Sequence, residues 1–344
     1  MKVVILGGGF CGAWVAKKLD RLNDLDVVLV DTKDYFEYSP SIWKLLLDTR
    51  MYPKIIVPHT RYLKRTRIVT DPLIQVTPSF VQTKKEKIRF DYLVISTGID
   101  YPIFLKDKQN VFTVKSGTEV MKYTKKVLAA KTILIIGGGV IGSEVAAELA
   151  THAPEKKIIV VHPHDRLLER NPPSVSRYAK KFLEGYGVQI IFDEKIVDHK
   201  KGVFLTSTNR RIKADLGIWC AGITCNPWFL KEFPAWIFTE KKSLKVNQYL
   251  QLEGYPHIYI GGDINDEDEE KTAAAADRQG IFIASNIPRM IAGKKLYKYA
   301  PIAFPMDISL GRYNGIITYS PFMIPGVISA IIKKLVEIIG IARL

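Results

Sequence analysis

At 344 residues the chain is long enough for two or three domains with sizeable cores. Lys and Arg number 50 against 35 Asp and Glu, and the net charge of +15 suggests nucleic acid, an anionic membrane or anionic cofactors. No zinc spacing, homeodomain-like helix or RNA-binding signature supports nucleic acid, no apolar run is long and charge-free enough to span a bilayer, and three cysteines are too few for a disulfide framework and suit a reducing compartment.

Met1 runs straight into a strand, so no signal peptide is expected ahead of the fold. The apolar strand Val3-Val4-Ile5-Leu6 enters Gly7-Gly8-Gly9-Phe10-Cys11-Gly12, and helical periodicity follows from Gly12 to about Leu22. A G-x-G-x-x-G in this strand–turn–helix context predicts a dinucleotide-binding turn. Gly7 permits the tight turn, Gly9 lets the backbone approach a pyrophosphate, and Gly12 lets helix pack on strand. The helix N-terminus, with Phe10 and Cys11 inside the turn, offers free N–H groups and a positive dipole end to phosphate. The next strand, Val27–Val30, ends on Asp31, the spacing at which such a unit hydrogen-bonds a ribose. A turn or cap aspartate is the competing reading. Lys64–Arg89 alternates apolar and polar residues and reads as short antiparallel strands. Asp91–Gly98 reads as a buried strand ending in a glycine turn that includes Thr97 and Gly98.

The logic then repeats. A strand at Thr132–Ile136 leads into Gly137-Gly138-Gly139-Val140-Ile141-Gly142 and a helix to about Ala150. A strand at Ile158–Val161 ends on His162. A helix at Ser174–Gly185 and a strand at Val188–Phe192 follow. The strand Asp215–Cys220 runs into Ala221-Gly222, and His257–Ile260 runs into Gly261-Gly262-Asp263 before a helix from about Thr272 to Ile291. Two such turns predict two dinucleotides side by side, and electron transfer is the simplest reason for that. The expected class is α/β with two Rossmann-like domains. Residues 1–112 and 245–308 form a discontinuous first domain, 113–244 an inserted second, and 309–344 a C-terminal membrane-association segment.

These five ordered motifs resemble the two-dinucleotide-binding-domain flavoproteins, whose fold is that of the pyridine nucleotide-disulfide reductases. Two further stretches, Val30–Glu37 and Ser309–Gly315, are similar to segments of ferroptosis-suppressor-type and apoptosis-inducing-factor-like quinone reductases, and type II NADH dehydrogenases are the next group. The resemblance implies FAD at Gly7, Gly9, Phe10, Cys11, Gly12, Asp31, Lys33, Thr97, Gly98, Gly262 and Asp263, with Pro40 in a wall near the flavin ring. It implies NADH or NADPH as substrate at Gly137, Gly139, Gly142, His162 and Gly222. It places Glu144, the catalytic candidate, near the nicotinamide–flavin contact, and it points the helix near Thr272 at the pyrimidine end of the flavin. One departure stands out. The glutamines of the A-Q-x-A-x-Q-x-G stretch of type II dehydrogenases are Ala274 and Arg278 here, so that family's quinone contacts do not carry over intact.

Read from the residues alone, several of these positions keep a plainer alternative. Glu144 is equally an acid complementing a positive helix end. His162 is equally an exposed loop residue; as a neutral or cationic side chain it permits NADPH without requiring it. Asp266–Glu270 reads as a charge complement to a helix start, and Tyr38-Ser39-Pro40 as a simple turn. Cys11, Cys220 and Cys225 lack the C-x-x-C spacing of disulfide reductases and the positions needed for sulfide oxidation, so each is expected to be a buried structural thiol.

The tail from Pro321 to Leu344 carries Ser329, Lys333 and Glu337 on one i, i+4 line, with a wide apolar face around them. That pattern suits a helix lying in a membrane interface, with Lys333, Lys334 and Arg343 meeting anionic headgroups. A homodimer contact is the alternative. The expectation is a peripheral FAD enzyme on the cytoplasmic face of a membrane, passing hydride from NAD(P)H to flavin and two electrons to a membrane quinone. The alternatives are a soluble reductase of a ferredoxin or rubredoxin, a sulfide:quinone-type enzyme disfavoured by the cysteines, and a low-turnover flavin sensor.

Overall fold

The computed structural model describes residues 1–344. In chain order its first elements are strand β1 (Lys2–Leu6), helix α1 (Phe10–Leu19), and strands β2 (Asp26–Asp31), β3 (Arg67–Thr70) and β4 (Tyr92–Ile95). Strand β5 (Val111–Thr113), helix α2 (Gly117–Ala129), β6 (Thr132–Ile136), α3 (Val140–His152), β7 (Lys157–Val161), α4 (Pro173–Gly185), β8 (Gln189–Ile191) and β9 (Leu216–Trp219) follow. The chain closes with β10 (Gln251–Leu252), β11 (Tyr255–Ile260), α5 (Ala273–Ile291), a meander of β12 (Met306–Ser309), β13 (Gly315–Tyr319) and β14 (Phe322–Pro325), and helix α6 (Val327–Ala342).

Two sheets organise these elements. One has the order β10-β11-β4-β1-β2-β3 and is parallel except at its β10 edge. The other has the order β5-β9-β6-β7-β8 and is parallel throughout. Their central strands are apolar on both faces because both faces are covered, the usual composition of buried parallel strands: helices pack on one face, and a small antiparallel sheet packs on the other, with Val76, Val81 and Ile88 against the first sheet and Ile196, Phe204 and Ile212 against the second. Val3, Val4, Ile5, Leu6, Ile133, Leu134 and Ile135 are fully buried. Strand β11, near residue 260, pairs with β4, so the first sheet is completed by chain that returns after the second sheet has been built.

Two expectations need correction. Lys64–Arg89 is not antiparallel throughout: β3 pairs in parallel with β2 (Val28 opposite Arg67, Val30 opposite Val69), and only Leu73–Val76, Phe80–Thr83 and Lys87–Arg89 form an antiparallel sheet. Alternation reports a half-covered strand, and an edge strand of a parallel sheet is half-covered too. The tail is not helical from Pro321. Phe322–Pro325 pairs with β13, and Gly326, at φ +95°, turns the chain into α6.

Candidate nucleotide and electron-transfer site

Both glycine turns have the geometry that their spacing predicts. Gly7 holds φ +94° and Gly137 φ +108°. A Cβ on Gly12 would lie 1.8 Å from the Gly7 carbonyl oxygen, and one on Gly142 would lie 1.8 Å from that of Gly137. Neither helix could start where it does with an alanine there. Gly9 and Gly139 instead face open space. The N–H groups of Phe10, Cys11 and Gly12, and of Val140, Ile141 and Gly142, have no backbone acceptor, as the first turn of any helix requires. Each turn is therefore an open cradle with unused donors at the positive end of a helix, which fits an anionic pyrophosphate.

Around the first turn, the Gly8 N–H donates to Asp31 Oδ2 at 2.5 Å, and the N–H groups of Thr32 and Lys33 donate to Oδ1 at 2.5 and 3.2 Å. The Lys33 ammonium is engaged with Glu37 at 3.0 Å, and Glu37 in turn accepts the Gly117 N–H. Thr97 and Gly98 lie at the open end of β4 beside Gly7, with Gly98 at φ +70° and nothing in front of it. Gly262 donates its N–H to Gln279 Oε1 at 2.7 Å, which fixes the turn that presents Asp263. Burial pushes the Asp263 carboxyl up to about 6, opposed by Lys271. Gln279 also accepts from Asn265 Nδ2 at 2.7 Å. Nothing in the spacing singles out this glutamine beyond its place in a helix. Cys11 turns its side chain inward, where Gly261 and Gly280 leave it room, so only its N–H faces the cradle. Pro40 begins a 3-10 segment, Ser39–Leu46, next to Tyr38, whose ring stands 5.6 Å from that of Phe10.

At the second turn, His162 is a buried residue rather than an exposed loop histidine. Its Nδ1 accepts the Gly138 N–H at 3.0 Å, the place that Asp31 takes in the first fold. Burial lowers the pKa of its imidazole, and Glu169, with Oε2 3.2 Å from Nε2, opposes that. Gly222, at φ +72°, closes the end of β9 beside the exposed ring of Phe104.

Glu144 is buried on α3. Its Oε1 accepts the Ser309 N–H at 2.9 Å and the Lys333 ammonium, which also donates to the Asp307 carbonyl at 3.1 Å. Lys333 therefore does not reach outward to headgroups, contrary to the expectation for it. The rest of the polar line on α6 also points inward: Ser329 is fully buried, and Glu337 pairs with Lys44. A Cβ on Gly340 would come within 2.8 Å of the Tyr38 ring. Asp307 has both carboxyl oxygens buried without a partner, and burial pushes its carboxyl up to about 6, against the pull of Lys333. The opposite face of α6 is bare: Ile328, Ile331, Leu335 and Ile338 are each more than half exposed. Arg278 is turned to Tyr299, donating to its hydroxyl at 2.9 Å and lying over its ring.

All three cysteines are unpaired. Burial raises each thiol, and Cys225 donates to the Asp263 and Ile264 carbonyls at 3.8 Å.

The family model described as pyridine nucleotide-disulphide oxidoreductase matches residues 1–280. The chain is 30% identical to apoptosis-inducing factor homolog A of Dictyostelium discoideum, over 92% of this chain and 84% of that protein. It is 27% identical to ferroptosis suppressor protein 1 of Homo sapiens, over 94% and 90%. Its fold superposes on that of NDH2 from Plasmodium falciparum, solved in complex with NADH, with a TM-score of 0.87, 16% identity, and coverage of 97% and 93%.

Proposed function

The chain belongs to the pyridine nucleotide-disulphide oxidoreductase family, and from that premise we propose that it is an FAD-dependent NAD(P)H:quinone oxidoreductase working at a membrane surface. The observation that carries this reading is the pair of open glycine cradles, each with unused helix N–H groups. Gly7, Gly9, Gly12, the N–H groups of Phe10 and Cys11, Asp31, Thr97, Gly98, Gly262 and Asp263 suit FAD. Gly137, Gly139, Gly142 and Gly222 suit NADH or NADPH, with His162 setting the turn from behind. Bound FAD supplies hydride acceptance from the nicotinamide and two-electron delivery to a quinone.

The chain's own residues supply placement, charge and dryness. Glu144 keeps the Lys333 ammonium inside the protein where α3, β12 and α6 meet. Asp307 can hold or release a proton near pH 6 beside that ammonium. No cysteine pair is present to take electrons, so a disulfide is a poor acceptor for this chain.

Helix α6 is the membrane-docking element. Ser329, Lys333 and Glu337 are spent inward, and the face left outside is largely apolar, as are the exposed Phe322 and Ile324 of β14. No helix is long and apolar enough to cross a membrane, which suits a helix lying in the interface. Lys334 and Arg343 flank that face for anionic headgroups. The net charge of +15 favours a second reading, a reductase of a small acidic electron carrier. NADH should bleach the purified flavoprotein, and a short-chain quinone should reoxidise it. Flavin that stays oxidised with both NADH and NADPH would overturn the proposal, and reoxidation by the acidic carrier alone would favour the second reading.

A further inference from the structure

The two nucleotide folds share one device with its chemical parts exchanged. In the first, the carboxylate of Asp31 accepts the N–H of the middle glycine of the run, and the His59 imidazole stands behind it, with Nε2 4.0 Å from Oδ2. In the second, the His162 imidazole accepts that N–H and the Glu169 carboxylate stands 3.2 Å behind. Nδ1 can accept the Gly138 N–H only if it is unprotonated, so the neutral ring carries its proton on Nε2, toward Glu169. The His162 side chain is sealed, at 4% exposed, whereas that of Glu169 is 30% exposed. Of this pair, the side chain that a ligand at the strand end can reach is the glutamate.

The loop that delivers Glu169 folds back onto the glycine turn. The Leu168 N–H donates to the Gly138 carbonyl at 3.0 Å, and Leu167 packs beside the Gly138 Cα. This return needs Leu168 at φ +53°, a left-handed conformation that a leucine rarely adopts and that tends to persist where function requires it. His162 Nε2 and Glu169 Oε2, though 3.2 Å apart, are not aligned for a hydrogen bond, and they and Arg166 Nη1 are buried there without other partners. Arg166 is tethered by Nη2 to the Glu169 carbonyl at 2.6 Å.

We propose that Glu169 takes the part of the strand-end acid in the second fold, accepting the adenosine-ribose hydroxyls of the nicotinamide nucleotide and selecting NADH over NADPH. This rests on the reading that the second fold binds a nicotinamide nucleotide. A carboxylate accepts both ribose hydroxyls in charge-assisted bonds. It repels a 2′-phosphate, whose charge would fall beside it. The acid is not legible at the strand end itself because Glu169 follows His162 only after the loop residues Pro163 to Leu168.

Calorimetric titration of the flavin-loaded protein with NAD+ and NADP+ tests the assignment, alongside kcat/KM for NADH and NADPH. The wild type should favour NAD+ at least tenfold, and Glu169→Gln should cut that ratio at least tenfold by weakening NAD+ and strengthening NADP+. Glu169→Asp keeps the charge and should keep the direction of the preference with weaker binding, which separates recognition from a fold defect. An unchanged ratio in Glu169→Gln, with both nucleotides still bound, would overturn the proposal. So would a wild type that favours NADP+ and loses that preference in Arg166→Gln, because Arg166 would then be reading a phosphate. If neither nucleotide binds the wild type, the underlying functional reading fails as well.

Discussion

The ammonium of Lys333, on the last helix, ends on Glu144 of α3, 189 positions earlier in the chain. Both side chains are largely enclosed, at 15% and 6% exposed. Removing one member of a buried pair leaves an uncompensated charge, which costs about 3 kcal/mol or more. Lys333→Met should therefore lower the melting temperature well beyond the effect of a surface substitution. The double variant Glu144→Gln, Lys333→Met should recover most of the loss, and a double-mutant cycle of unfolding free energies measures the coupling. A near-zero coupling would show that the pair does not hold α6 in place.

The bare face of α6 gives a separable expectation. Replacing Ile328, Ile331, Leu335 and Ile338 with serine removes exposed apolar area without touching Ser329, Lys333 or Glu337. Each change should shift stability by no more than about 0.5 kcal/mol. Co-sedimentation with vesicles containing anionic lipid should fall at least tenfold. If vesicle binding is unaffected but light scattering reports a dimer turning into a monomer, the face meets a second copy instead.

The glycine turns make opposite predictions for the two folds. Gly12→Ala should yield protein largely free of flavin, because its methyl meets the Gly7 carbonyl at an impossible distance. Gly142→Ala should keep its flavin spectrum while losing reduction by NADH. The local strain in each case is about 1–3 kcal/mol or more, and absorbance at the flavin band separates the two outcomes.

Asp277 provides the clearest pH dependence. Burial pushes its carboxyl up to about 7, opposed by Trp14 and Arg343. A carboxyl raised in the folded state binds its proton more tightly there than in the unfolded chain. Its contribution to stability is therefore greatest below the unfolded value near 4 and is lost as pH rises toward about 7. Asp277→Asn should raise the unfolding free energy at pH 8 by on the order of 2 kcal/mol and change it little at pH 4. Equal effects at both values would remove Asp277 from the pH response.

Much of the two glycine turns was readable one residue at a time. Gly7, Gly12, Gly137 and Gly142 are demanded by backbone crowding within six residues, so spacing alone reports them. Asp31 and His162 sit at strand ends fixed by the same local period. Gln279, Glu169 and Asp307 were not readable, because each acts on a partner that only the folded chain brings near: the Gly262 N–H, the His162 ring and the Lys333 neighbourhood.

The sequence by itself determined that two apolar parallel strands each enter a glycine turn and a helix, and that the last helix has one polar line and one apolar face. Only the tertiary structure decided which face of that helix looks inward. Amphipathic spacing says that two faces differ, not which environment each one meets. Ordinary burial would have turned the isoleucines in; here Glu144, Lys44 and the Asp307 carbonyl offer buried partners to Lys333 and Glu337, and the cost of leaving those groups unpaired turns the polar line inward and the apolar face out.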